Sequence, residues 1–256
     1  MKTDTVFWRD WWNEFANRSG EDFEVDRGTT LRIDELERRA ARQFLAAVDP
    51  KQTDLVLDAG CGTGANFSKL NGLVAGIVGV DFSEEMLKRA EQRIITEKIA
   101  NVKLQFGNVT KMEFPTGSFD KVVCTSVLQY LDDDECEAAF KEMVRVSKKG
   151  SIIVIHLKNR TSLYGMTRAL TQFVARLLHK KTIPDKYRPR VWYERIINEN
   201  DCEIVDYDSF GIFTPVKLPS SLKCALLKLE IQLPRATKLK KYGVNYKVTI
   251  RTSTGK

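Results

Sequence analysis

The sequence lacks any long uncharged apolar stretch. No stretch of the 256 residues is apolar and uncharged over a length that could cross a bilayer, so no transmembrane helix is predicted. The opening residues, Met1-Lys2-Thr3-Asp4, lead into charged and aromatic side chains rather than the apolar core of a signal segment. We therefore expect a protein that works in the cytoplasm.

Paired cysteines are also missing, and there are only two histidines, His156 and His179. The five cysteines are scattered and no C-x-x-C pair occurs, which argues against a structural zinc site. Unpaired, scattered cysteines are typical of reduced thiols in a cytoplasm. The cysteines are Cys61, Cys124, Cys136, Cys202 and Cys224.

Acidic residues are scarce in the second part of the chain. The net charge of +7 is the sum of −5 over residues 1–150 and +12 over residues 151–256. Residues 158–195 alone hold ten Lys or Arg and two acids. Such a cluster favours an anionic partner, whether a small molecule, a membrane surface or a nucleic acid. The alternative is a basic face that is simply solvated.

The most informative stretch is rich in glycine. A short apolar run, 55–57, stops at Asp58, and Gly60, Gly62 and Gly64 follow at alternate positions before an amphipathic segment. This pattern predicts a strand, a tight turn and a helix N-terminus. Glycine permits positive φ and close approach of a ligand, and the free N–H groups of a helix start favour anionic groups. The stretch is therefore predicted to hold a cofactor.

Two cofactor classes fit this turn. Gly60, Gly62 and Ala65 satisfy the dinucleotide pattern G-x-G-x-x-A, and Asp81 lies where an acid would hold ribose hydroxyls. Phosphate binding, however, gives no role to Asp58 at the strand end. An amino-acid moiety carries an ammonium group that a carboxylate can meet directly or through water, so Asp58 favours a cofactor of that kind.

Strands and helices alternate along the first two thirds of the chain, which predicts a doubly wound, Rossmann-like α/β sheet. Helices are expected first, at 5–18 and 31–48. The predicted parallel strands are 54–58, 74–80, 102–106, 119–125 and 151–156. After them we expect helices at 162–178 and 188–199, and two late strands, 202–213 and 242–252, that flank a helical or irregular stretch at 218–240.

Five motifs share the order and spacing seen in one enzyme family, and over residues 58–150 the chain resembles class I S-adenosylmethionine (SAM) dependent methyltransferases. The resemblance implies a seven-stranded sheet of order 3-2-1-4-5-7-6, mostly parallel with an antiparallel edge pair. It also implies SAM as the cofactor and S-adenosylhomocysteine as the product. The motifs are Asp58-Ala-Gly-Cys-Gly-Thr-Gly64, Val78-Gly-Val-Asp81-Phe-Ser-Glu-Glu-Met-Leu87, Gly107-Asn108-Val109, Phe119-Asp120-Lys-Val-Val-Cys124 and Lys148-Lys149-Gly150.

The same resemblance assigns cofactor-binding residues. Asp81 would accept both ribose hydroxyls, and Phe82 and Met86 would line the adenine. Many relatives have Asp where this chain has Asn108, whose amide oxygen can still accept from the adenine amino group. The implied set is Asp58, Gly60, Cys61, Gly62, Gly64, Asp81, Phe82, Met86, Asn108, Val109, Cys124 and Thr125.

Candidates for the acceptor side are less distinct. Relatives often have histidine in segment 126–130, where this chain has Gln129 and Tyr130. His156 follows an apolar run at a strand end and could act as a base that titrates near neutrality, or it could be a structural histidine. The candidate catalytic residues are His156 and Tyr130. The candidate substrate-binding residues are Trp8, Trp11, Asn159, Tyr164 and Trp192.

We divide the expected single domain into an N-terminal helical lid (1–48), a SAM-binding core (49–157), a basic helical cap (158–200) and the end of the core sheet (201–256). The predicted function is methyl transfer to a small amphipathic or anionic acceptor, such as a natural product or a lipid- or isoprenoid-linked metabolite. RNA methylation and a catalytically silent SAM-binding partner protein are the alternatives. The cap could also contact a membrane peripherally, and we expect a monomer or homodimer.

Overall fold

The computed structural model of the protein describes residues 5–18, 34–178, 185–210 and 243–254, together with residues 225, 226 and 229. The expected helical stretch 218–240 lies almost wholly outside these residues. The helices are α1 (Thr5–Arg18), α2 (Asp34–Val48), α3 (Phe67–Leu70), α4 (Glu84–Thr96), α5 (Asp133–Val146), α6 (Leu163–Leu177) and α7 (Arg190–Glu199), with a 3₁₀ turn at Leu128–Tyr130. The strands are β1 (Leu55–Ala59), β2 (Gly76–Asp81), β3 (Val102–Phe106), β4 (Phe119–Thr125), β5 (Ser147–Lys158), β6 (Glu203–Phe210) and β7 (Asn245–Arg251).

All seven strands form one sheet in the order β3-β2-β1-β4-β5-β7-β6, which confirms the predicted fold and strand order. The first five strands are parallel, and β7 lies antiparallel between β5 and β6. In a parallel sheet the carboxyl ends of the strands meet at one edge, and ligands bind in the crevice outside that edge. The ends of β1, β2 and β4 therefore indicate where a cofactor should lie.

Helix starts follow the local chemistry of the sequence. The Ser83 side chain accepts from the backbone N–H of Met86 and begins α4. Asp132 and Glu135 form a reciprocal capping box at the start of α5. Helix α3 begins only at Phe67, because the residues before it still belong to the glycine turn.

The fifth strand is longer than expected at both ends: Ser147 pairs with Phe119 of β4, and Leu157 and Lys158 pair with Tyr246 and Asn245 of β7. A strand supplied from the far end of the chain cannot be seen in the local pattern of β5. Apolar side chains of α2, α3 and α4 cover one face of the sheet, and those of α5 and α7 cover the other. No helix in the described part of the chain is long and apolar enough to cross a membrane.

Candidate active site

The glycine turn between β1 and α3 has the backbone that its sequence predicts. Gly60, Gly62 and Gly64 all have positive φ, at 76°, 53° and 76°. The N–H groups of Gly60 and Cys61 both donate to the Val80 carbonyl, at 2.8 and 2.9 Å, which ties the turn to β2. A Cβ on Gly60 would stand 2.3 Å from Val127 Cγ2, so only glycine leaves room at this point.

Asp81 ends β2 and is fixed by two backbone donors. Its Oδ2 accepts from the Gly62 N–H and its Oδ1 from the Ser83 N–H, both at 2.9 Å. The residue is only 6% exposed, yet it lines a cleft beside the glycine turn. Each carboxylate oxygen has further lone-pair capacity, so Asp81 can accept hydrogen bonds from a ligand in the cleft.

Asp58, at the end of β1, is fully buried and does not line the cleft. Asn66 Nδ2 donates to both of its oxygens, at 3.3 and 3.2 Å, and also lies 3.0 Å from Thr125 Oγ1. Burial raises the pKa of Asp58 to about 7, against the lowering effects of the Asn66 hydrogen bond and of Lys69. Asp58 therefore influences the cleft through Asn66 and Thr125, which do line it.

The cleft has a volume of about 880 Å³, counting the part that is open to solvent. It brings together residues from α1, the glycine turn, the end of β2, the segment after β3 and the segment after β4. Its lining residues are Trp8, Trp12, Gly60, Cys61, Gly62, Thr63, Ala65, Asn66, Asp81, Phe82, Met86, Asn108, Val109, Thr125, Ser126, Val127, Tyr130, Leu131 and Glu135.

Aromatic side chains form one wall of this cleft. The Tyr130 ring lies 4.7 Å from the Trp8 ring and 5.1 Å from the Trp12 ring, between centroids. Trp8 is 1% exposed, and its indole Nε1 has no hydrogen-bond partner among the described residues. A buried donor without a partner is costly, so an acceptor on a bound ligand would stabilise this nitrogen.

Asn108 is oriented by its own local turn. Its Oδ1 accepts from the Thr110 N–H at 3.0 Å, while the residue lines the cleft together with Val109. The amide oxygen retains a second lone pair for a ligand, and the carboxamide NH₂ offers donors that an aspartate would not.

A second cavity lies next to the cleft, and Ser126 lines both. Its volume is about 410 Å³, again counting the part that is open to solvent, and its lining residues are Ser126, Gln129, His156, Leu157, Lys158, Phe210 and Asn245. Ser126 follows β4 with a φ of 62°, a left-handed conformation that is uncommon outside glycine. Such a conformation directly after a central strand is typical of functional sites.

His156 lies in the second cavity and not in the cleft. Burial and nearby lysine charges, chiefly that of Lys69, lower the pKa of His156 to about 3. The expectation that His156 titrates near neutrality is therefore wrong. A neutral imidazole can still donate or accept a hydrogen bond in this cavity.

Several predicted site residues line neither cavity. Gly64, which packs against Phe67, and Cys124, in the core below the cleft, do not reach the surface of the site. Trp11 stacks on Phe15 with ring centroids 5.1 Å apart.

Three more candidates, all in the predicted cap, also lie outside the two cavities. Asn159 is fully buried, donating to the Gly243 carbonyl and accepting from Thr161. The Tyr164 ring lies 6.1 Å from that of Tyr187. Trp192 packs under the guanidinium of Arg188 at 4.6 Å. These contacts give Asn159 and Trp192 structural roles.

Sequence reasoning missed some lining residues. Trp12 has the same helical face as Trp8, one turn later, so the aromatic spacing could have revealed it. Asn66 bridges Asp58 and Thr125, and Ser126 joins the two cavities. Neither of these two roles has a local signal, because both depend on contacts between distant strands.

The family model described as a methyltransferase domain matches residues 56–150. These residues hold the glycine turn, Asp81 and the strands β1 to β4 that form the cleft. This match identifies residues 56–150 as a methyltransferase domain. The match ends at residue 150, so it leaves most of the lining of the second cavity unassigned, namely His156, Leu157, Lys158, Phe210 and Asn245.

Curated relatives of the chain include a demethylmenaquinone methyltransferase of Geobacillus stearothermophilus, which is 34% identical over 149 residues, covering 56% of the chain. A phosphatidylethanolamine N-methyltransferase of Cereibacter sphaeroides is 33% identical over 122 residues, covering 46% of the chain. The chain spans 62% of the length of the first relative and 59% of that of the second.

Solved structures share the fold over almost the whole chain. Magnesium protoporphyrin IX methyltransferase from Synechocystis PCC 6803, solved with bound S-adenosylhomocysteine, has a TM-score of 0.62 at 15% identity, covering 98% of this chain and 100% of that one. A Haloferax volcanii protein solved in complex with the Trm112 methyltransferase activator has a TM-score of 0.66 at 15% identity, covering 95% and 98%. At this identity the likeness shows the fold alone.

Proposed function

We propose that the protein transfers the methyl group of SAM to a small amphipathic acceptor. The observation that carries this proposal is the Asp81 carboxylate, which the Gly62 and Ser83 N–H groups fix at the mouth of the glycine turn. With its oxygens oriented by these donors, the Asp81 carboxylate is suited to accept the paired hydroxyls of a ribose.

The rest of the cleft fits SAM as well. Gly60 and Gly62 line the cleft without side chains, so a ligand can approach the backbone of the turn closely. Phe82 and Met86 offer an aromatic ring and a thioether to a flat adenine ring. The unpartnered Nε1 of Trp8 would find its acceptor on the bound ligand.

Gly60→Ala should reduce SAM affinity by about tenfold or more, because the added Cβ would stand 2.3 Å from Val127 Cγ2 and displace Val127, which lines the cleft. The substitution also places a non-glycine residue at a φ of 76°, which costs about 1 kcal/mol of stability. Isothermal titration calorimetry with SAM, together with urea unfolding, measures both effects.

Gly72→Ala is the matched control for this substitution. Gly72 has a φ of 72°, but a Cβ there would meet no atom within 4 Å. Its replacement should lower stability through the backbone alone and leave SAM affinity unchanged. Equal SAM affinity of the two variants would contradict a cofactor role for Gly60.

The second cavity is suited to hold the acceptor. Gln129 Oε1 is buried without a hydrogen-bond partner in the described part of the chain, so it favours a ligand with an O–H or N–H donor. Lys158, whose Nζ donates to Asn245 Oδ1 at 2.7 Å, adds positive charge, and Phe210 adds an apolar surface. This combination favours an amphipathic molecule, in keeping with the lipid-related acceptors in the names of the curated relatives.

In this mechanism the chain mainly aligns the reacting groups and excludes water. SAM, when bound, supplies a methyl group that the positive charge on its sulfur activates. Asp81 holds the ribose, while Trp8, Trp12 and Tyr130 close the cleft against solvent. Ser126, in both cavities, marks the place where the acceptor atom would face the methyl group.

Incubation with methyl-labelled SAM and fractionated cell extract tests the proposal. We expect label in the fraction of small amphipathic and lipid-linked molecules. Label confined to the RNA fraction would contradict the choice of acceptor. SAM binding without label in any fraction would favour a SAM-binding partner protein.

The variant Gln129→Leu tests whether the acceptor binds in the second cavity. It should lose most of the labelling while SAM affinity stays unchanged, because Gln129 does not line the cleft. Undiminished labelling by this variant would move the acceptor out of the second cavity.

A further inference from the structure

Helix α6 packs its polar side inward. Arg168 donates to Asp185 Oδ1 from Nε at 3.0 Å and from a terminal nitrogen at 2.8 Å. Gln172 Nε2 donates to the backbone carbonyl and the Oδ1 of the same Asp185, both at 3.0 Å. Gly165 lies so close to the backbone that follows β5 that a Cβ on it would stand 2.3 Å from the Asn159 carbonyl oxygen. Residues 165, 168 and 172 share one helix face, so these contacts fix which side of α6 faces the protein.

The opposite side of α6 is apolar and exposed. Its large side chains are between 42% and 63% exposed and recur at intervals of three and four residues, which places them in one stripe. The stripe consists of Met166, Leu170, Phe173, Val174, Leu177 and Leu178. A surface helix normally buries its apolar stripe and exposes its polar one, and an apolar patch of this kind marks an interaction site.

Positive charge predominates in the sequence around this stripe. Residues 157–184, which contain all of α6, carry six Lys or Arg and no Asp or Glu. An apolar helix face with basic flanks is the pattern of a helix that lies in the interface of an anionic membrane. A second copy of the chain is a less suitable partner for this face. Residues 151–256 carry a net charge of +12, so two copies would repel each other here.

We propose that the exposed apolar stripe of α6 docks on the surface of an anionic lipid bilayer. The docked helix lies next to the second cavity, because α6 rests on Asp185 and the Lys186 N–H donates to the Gln129 carbonyl at 2.6 Å. Docking is independent of methyl transfer: it needs only the stripe and its basic flanks, and neither belongs to the SAM cleft.

Co-sedimentation with lipid vesicles tests the proposal. The full chain should bind vesicles of phosphatidylcholine with about 30% phosphatidylglycerol, bind pure phosphatidylcholine vesicles much more weakly, and lose affinity as salt is raised. The double variant Leu170→Gln/Phe173→Gln should bind the anionic vesicles at least about tenfold more weakly, since it removes apolar surface from the bilayer contact.

Ile95→Gln provides the matched control, because Ile95 on α4 is 71% exposed but lies outside the stripe. It should bind vesicles like the wild type. Calorimetry with SAM should give equal affinity for all three proteins, so that a lost vesicle contact is not mistaken for a lost cofactor site.

Three results would overturn the proposal: no binding to anionic vesicles, equal binding by the double variant, or binding that is indifferent to lipid charge. A concentration-dependent dimer that the double variant abolishes would also overturn it, because a second copy would then cover the stripe.

Discussion

Asp81→Ala is expected to abolish detectable SAM binding. The substitution removes the carboxylate that would accept the two ribose hydroxyls, and it leaves the Gly62 and Ser83 N–H groups without their acceptor. Hydrogen bonds to a charged group contribute about 1.5–3 kcal/mol each, so losing two of them lowers affinity by roughly 100-fold or more. Isothermal titration calorimetry measures the loss, and thermal unfolding shows whether the variant is folded.

Asp120→Ala is the control for this prediction. Like Asp81, Asp120 accepts a hydrogen bond from the backbone: its Oδ2 accepts from the Leu55 N–H at 3.0 Å. Its Oδ1 accepts from the Lys148 side chain. It lies at the other end of the sheet and does not line the cleft. Its removal should cost stability without changing SAM affinity. Near-normal SAM affinity of Asp81→Ala would refute the ribose role.

The cofactor cleft could be predicted largely from sequence because its signals are local. Glycine at alternate positions, an acid at the end of each of two strands and a serine cap are all set by a few neighbouring residues. The strand order followed from the family resemblance and is confirmed. The local pattern did not show which of the two acids a ligand can reach. Asp58 and Asp81 both lie at strand ends, but Asp58 is buried against Asn66, whereas Asp81 lines the cleft.

The acceptor side was harder to predict because it depends on contacts between segments far apart in the chain. Asn159 looked available at a strand end, but the distant Gly243 carbonyl and the neighbouring Thr161 occupy its side chain. Arg188 was counted only as part of a basic cluster. In the structure it is 4% exposed and donates to the carbonyls of Leu128 and Leu131, so its charge serves the fold.

The affinity for SAM should rise with pH between about 6 and about 8, through the ionisation of Asp58. Burial raises the pKa of Asp58 to about 7, so this carboxyl is largely protonated at the lower pH and largely ionised at the higher one. SAM carries positive charge on its sulfonium and ammonium groups, and a negative charge beneath Asn66 and Thr125 favours a cation in the cleft. Calorimetry across this pH range measures the rise.

Asp58→Asn should remove most of this pH dependence, because the carboxamide does not ionise. His156 cannot produce it, since its pKa is lowered to about 3. The chain has one other histidine, His179, and His179→Gln should leave the profile as it is. A pH profile that survives Asp58→Asn and disappears in His179→Gln would assign the titration to the histidine.

The same group should make the ligand-free protein less stable as pH rises. Asp58 has a pKa of about 7 in the folded chain and an ordinary value of 3.8, so the folded state holds this proton more tightly. Its contribution to stability therefore falls as pH rises from about 4 to about 7, by about 1.4 kcal/mol for each pH unit. Asp58→Asn should gain about 2–3 kcal/mol over the wild type between about pH 5 and about pH 8 in urea unfolding. If the difference in unfolding free energy between variant and wild type does not change with pH, the pKa of Asp58 is not raised in the folded chain. If the expected gain is found together with weaker SAM binding, the fold retains an acid that destabilises it and serves the cofactor.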